Sequence, residues 1–131
     1  MKAIVARMFC VLALGLSSLR GQQVVINEIM YHPQSENPLE EFIELYNRGA
    51  GAADLSGWRF AGGVAFTFPN GTTLAGGSYL VVVPNVAAFQ VQHPLVNNVA
   101  GGWVGQLSNT GEKVELQNAQ GDTGDLVRYA D

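Results

Sequence analysis

Glu41-Phe42-Ile43-Glu44-Leu45-Tyr46-Asn47-Arg48-Gly49 is the stretch on which the fold turns. It alternates strictly, with Ile43 and Leu45 on one side and Phe42, Glu44 and Tyr46 on the other. Successive strand side chains point to opposite faces, so this pattern predicts a half-buried strand. The carboxylate of Glu44 would need a partner if it were buried, which assigns Ile43 and Leu45 to the core. Asn47 and Gly49 tolerate the positive φ of a turn and close the strand.

Upstream, Val24 to Tyr31 reads as the first strand, ended by His32-Pro33, since proline has no amide to continue a central ladder. Gln34 to Glu40 is polar, contains Pro38 and reads as a loop. Downstream, Asp54 and Ser56 shape the entry to a strand on which Trp58 and Phe60 share a face opposite Arg59. Gly62-Gly63 suits a tight reversal. Phe66-Thr67-Phe68 is a short strand stopped by Pro69-Asn70-Gly71. Ser78 to Val83 is almost continuously apolar, which predicts a strand buried on both faces. Asn85 to Gln92 is the one helical candidate, capped by Asn85 and ended by His93-Pro94; it is expected to be a single turn connecting two sheets. Asn97 to Gly102 reads as loop. Gly105 to Ser108, Lys113 to Gln117 and Asp125 to Tyr129 are the last expected strands. Roughly eight short strands with a turn signal about every ten residues predict an all-β sandwich, with a jelly roll or small barrel open on spacing alone.

Charged residues are only 14% of the 131, and glycine numbers 16, which suits sheets joined by turns. No apolar stretch approaches the roughly 18 residues of a membrane-spanning helix. Lys2 and Arg7 precede an apolar run from Met8 to Leu16, the pattern of a secretory signal peptide over residues 1–21. Small residues at Gly15 and Ser17 allow one cleavage point, and Gly21 before Gln22 allows another that leaves the first strand intact. Cys10 lacks the small residues that precede a lipoprotein cysteine. Residues 22–131 are then the folded domain, expected to be secreted or held at the cell surface. Without Lys2, Arg7 and Arg20, four basic residues face all eleven acidic ones, a net charge of −7. Such a domain repels phosphate backbones, which argues against nucleic acid as a partner. Cys10 is the only cysteine, so residues 22–131 form no disulfide with one another.

Five segments, in order, resemble a known family. They are Ile26-Asn27-Glu28-Ile29, then Phe42-Ile43-Glu44-Leu45-Tyr46-Asn47, then Asp54-Leu55-Ser56-Gly57-Trp58. Phe66 to Gly71 with Leu74-Ala75-Gly76-Gly77-Ser78-Tyr79-Leu80 follows, and Leu107-Ser108-Asn109-Thr110-Gly111-Glu112 is the last. Together they cover roughly residues 23–130 and resemble the lamin tail domain in its bacterial secreted type. The resemblance implies an immunoglobulin-like β-sandwich with no catalytic residues and no cofactor. It further implies a module of a larger exported protein, serving attachment or assembly beside kinase-like domains, nucleases or anchoring repeats. The chain stops at Asp131, where family members usually run on. The expectation is a truncated gene or a fragment whose last edge is unprotected.

Several groups invite a chemical reading. Glu36, Glu40, Glu41 and Glu44 suggest a metal or acid–base site, and Glu28 with Glu44 a carboxylate pair across a sheet. The plainer reading is a solvated strand face and a polar loop. Gly121-Asp122-Thr123-Gly124-Asp125 lacks the spacing of a calcium loop and reads as a turn. His32 and His93, far apart and without a cysteine nearby, do not make a zinc signature. Asp54-Leu55-Ser56-Gly57-Trp58 only superficially resembles a nucleophile elbow, and the glycine pairs lack the strand–helix context of a phosphate loop. Asn70-Gly71-Thr72 matches a glycosylation acceptor but sits in a turn. Trp58 is expected in the core. Trp103, among glycines, is the weak candidate for ligand binding, either stacking on a sugar or fitting a partner's pocket, against packing over a sheet end. The expected function is a non-catalytic module contacting a protein or cell-surface component. The alternatives are a carbohydrate-binding module using Trp103 and the accessory domain of a truncated enzyme.

Overall fold

The computed structural model describes residues 23–130; the leader expected over residues 1–21 lies outside them. The ten strands are β1 (Val24–Met30), β2 (Phe42–Asn47), β3 (Ala53–Asp54), β4 (Arg59–Ala61), β5 (Phe66–Thr67), β6 (Thr73–Leu74), β7 (Tyr79–Val83), β8 (Val99–Gly101), β9 (Gly111–Gln117) and β10 (Thr123–Ala130). A helix, α1 (Val86–Gln92), lies between β7 and β8. One sheet has the order β1-β2-β7-β8 and the other β10-β9-β4-β5, with β3-β6 as a small separate ladder. Among the described residues no helix is long and apolar enough to cross a membrane.

The core lies between the two sheets. Ile43 and Leu45 are both fully buried, as the alternation of β2 requires. Removing such a side chain from water contributes about 1.5–3 kcal/mol, so these two positions alone anchor the strand. They face Ile29 and Ile26 of β1, their register partners, and Val82 and Leu80 of β7. Alternation from Val24 and Ile26 would turn Glu28 inward. A register shift between Ile26 and Glu28 prevents this, and Ile29 and Tyr31 are buried instead. Glu28 consequently lies on the outer side, opposite Glu44.

β7 is covered on both faces, as its composition predicts. Leu80 and Val82 belong to the main core, while Val81 and Val83 pack under Phe89 of α1 with Phe42, Val86, Val96 and Val99 around them. The helix begins where Asn85 accepts the Ala88 N–H at 2.9 Å. It does not connect two sheets. It returns the chain to β8, which pairs with β7 in parallel within the same sheet. Parallel neighbours need a crossover, and this one lies on the outer face of its sheet. The residues expected as loop from Asn97 to Gly102 thus contain strand β8. A Cβ on Gly101 would come within 2.8 Å of the Val83 carbonyl oxygen and of Val86 Cγ2, so only glycine permits this close approach.

Gly105 to Ser108, expected as strand, is irregular and is held by carboxylates instead: Leu107 N–H donates to Glu41 Oε2 at 3.0 Å and Ser108 N–H to Glu112 Oε1 at 2.7 Å. Both tryptophans serve packing, Trp103 more deeply than Trp58. Trp58 is half-buried against the core, whereas Trp103 is 5% exposed and inside it. The glycines beside Trp103 let the chain turn inward rather than display the ring, with Gly102 and Gly105 both at positive φ.

Both seams between the sheets are closed. On one, an isolated bridge joins Ala65 and Val104. On the other, β1 lies beside β10, with the Ile26 N–H donating to Asp125 Oδ2 at 2.9 Å and the Tyr31 and Tyr129 rings 4.2 Å apart. β10 is still the edge strand of its sheet, and it lies against β1 through these contacts without a ladder between them.

Candidate functional site

The outer face of the first sheet carries a cleft of about 470 Å³ between β1, β2 and α1. Its floor is apolar because Met30 and Phe42, register partners on adjacent strands, both point outward there. Phe89 of α1 closes the side. Phe42 stands nearly perpendicular to Phe89, at 76°, and to His93, at 80°. Phe89 and His93 stack with centroids 4.5 Å apart, so the three rings make an aromatic corner. Glu28 and Glu40 stand at the rim.

Sequence reasoning treated His32 and His93 as unrelated, yet both line this cleft. The chain brings them together because His32 ends β1 and His93 ends the helix packed over the neighbouring strands. His32 Nδ1 is buried and has no hydrogen-bond partner. Among the described residues no group of three or more His, Cys, Asp or Glu side chains is placed to hold a metal ion.

The acidic residues singled out from sequence divide between different places. Glu28 and Glu44 are cross-strand partners, and Asn27 Nδ2 donates to Glu44 Oε1 at 2.8 Å. Burial, with a further contribution from facing Glu44, pushes the Glu28 carboxyl above its ordinary range. Glu40 accepts from Ser35 Oγ at 2.7 Å. Glu36 and Glu41 line a second, smaller and polar cavity of about 250 Å³ with Gln106 and Asn109.

Glu41 itself is 3% exposed. Burial pushes its carboxyl up to about 7, against the lowering effect of the Leu107 N–H, and nearby Glu112 pushes the same way. Glu112 Oε1 also accepts from the Tyr129 hydroxyl at 2.9 Å. Burial, then that bond to a carboxylate, holds the Tyr129 phenol well above its ordinary range. The participation of Glu112 and Tyr129 was not foreseen. In the sequence Glu112 only ends the last of the resembling segments, just before an expected strand, and Tyr129 only ends another.

Other candidates resolve into turns. Asn118 Oδ1 accepts from the Gln120 and Asp122 N–H groups, shaping a turn that ends at Asp122, while Thr123 to Asp125, also expected in the turn, already open β10. Asp54 Oδ1 accepts from both the N–H and the hydroxyl of Ser56, which lowers the Asp54 carboxyl pKa. The same hydroxyl oxygen accepts the Gly71 N–H, tying this segment to the exposed Asn70-Gly71 turn. Trp103 is not displayed for a sugar or a partner. Its indole is buried, with Nε1 lacking a hydrogen-bond partner, so the stacking role considered from sequence has no accessible ring face.

An apolar core between two mainly antiparallel sheets defines an immunoglobulin-like β-sandwich domain. The family model of the Lamin Tail Domain matches residues 18–131, and the chain belongs to that family. No curated protein matches the chain. The Lamin Tail Domain is an immunoglobulin-like domain family, consistent with a non-catalytic module.

Proposed function

We propose that the chain is the binding module of an exported protein, making contact with a protein or cell-surface component through the cleft between α1 and the first sheet. The observation that carries this reading is the outward-facing apolar floor. On a merely solvated strand face Met30 and Phe42 would be exposed for nothing; here they and Phe89 build an open concavity with polar groups at its rim. Concave, mainly apolar sites with a few convergent polar groups are where ligands bind. Export is supported by the basic start and apolar run of residues 1–21. The module holds a partner and does no chemistry on it.

Selecting a displayed random-peptide library on the purified chain tests the reading. Enriched peptides are expected to lose binding to Phe42→Asp, whose fold is checked by circular dichroism. Failure to enrich any peptide would remove the binding-module reading, and binders indifferent to Phe42→Asp would move the site elsewhere.

A further inference from the structure

Resting on the binding-module reading, we infer that the cleft selects an arginine-bearing segment of a partner polypeptide, with the guanidinium against the aromatic corner and paired to Glu28 and Glu40. Charge and shape agree on this occupant. No lysine or arginine lines the cleft; its two carboxylates share the lining only with the imidazoles of His32 and His93 as basic groups. The domain as a whole is acidic, with a net −7 over residues 22–131, and the general field favours a basic partner.

The floor narrows the choice of cation. Phe42 is half-buried and open toward the cleft, and His93 is exposed above Phe89. A planar guanidinium stacks on aromatic faces and presents two N–H donors to a carboxylate, which a compact, strongly hydrated ammonium does less well. A volume of about 470 Å³ falls in the range of roughly 300–1,000 Å³ that ligand pockets occupy, leaving room for an apolar neighbour of the arginine on Met30. A cation beside Glu28 also offsets its repulsion by Glu44, the cross-strand partner behind it.

Two blocked tripeptides test this, Ac-Leu-Arg-Leu-NH2 and the same peptide with citrulline, which keeps the shape and removes the charge. Each is titrated into the isotopically labelled full chain by NMR. The arginine peptide is expected to shift amide resonances of Glu28 to Met30, Phe42 and α1. The citrulline peptide should bind about tenfold more weakly. Glu28→Gln and Glu40→Gln should each weaken the arginine peptide at least about threefold, while Glu36→Gln, outside the cleft, leaves it unchanged. Equal binding of the two peptides would overturn the arginine preference and leave the binding module standing. Shifts confined to another face, or no binding of either peptide at millimolar concentration, would overturn the inference outright. A failed binding module is distinguished by a library selection that yields nothing at all.

Discussion

Replacing Asn47 removes three hydrogen bonds at a fully buried position. Its Nδ2 donates to the carbonyls of Leu74 and Gly51 at 2.8 and 3.0 Å, and its Oδ1 accepts the Gly49 N–H at 2.9 Å. Leucine would fill a similar volume but leave those backbone groups without their partner. Asn47→Leu is expected to cost roughly 2–4 kcal/mol, measured as a fall in the urea midpoint at constant slope. Glu41 has the opposite character, a carboxyl whose ionisation the fold resists. Its value rises from the ordinary 4.5 to about 7 on folding, so between these limits the unfolded chain holds fewer protons than the native one. Stability is therefore complete below the unfolded value and declines as pH rises from 4.5 through about 7. A series of melting temperatures across that window should show the decline, and Glu41→Gln should flatten it. Melting curves of the variant that keep the wild-type slope would assign the effect to another group.

The elements differ in what makes them legible. β2 is readable because its apolar and polar residues alternate without interruption, and β7 because a run of valines has no polar side to present. β1 is legible as a strand but not in its facing, since the inward residues fall at 24, 26, 29 and, just past its end, 31, and the phase changes at Asn27-Glu28. A break of that kind signals a bulge, but alternation alone does not say which strand face gains. β8 was lost because Val99-Ala100-Gly101 has too little side chain to declare itself; it is a strand only through its parallel partner. The cleft was unreadable for the same reason. His32 and His93 are separated by most of the domain and meet only through a helix crossover that no local pattern specifies. That helix has seven residues, too few to persist alone, so tertiary contact should dominate its stability. Phe89→Ala is expected to cost about 3–5 kcal/mol and Asn85→Ala only about 1 kcal/mol, compared by denaturant unfolding of the two variants. Equal losses would mean that the cap, not the packing, holds α1.

At the scale of the whole molecule, cohesion comes from one apolar interior spanning both sheets and from the seams that close it. With no cysteine after position 10, the melting temperature of a chain beginning at Gln22 should be the same with and without a reducing agent, read by circular dichroism. The seam between the first and last strands has a direction. Ile26 meets Asp125 near one end, and Tyr31 meets Tyr129 near the other, so β1 and β10 advance the same way side by side. Tension applied at Val24 and Ala130 accordingly drags these two strands lengthwise past each other. Such a pull loads the contacts between them in shear, all at once, rather than peeling them apart one by one.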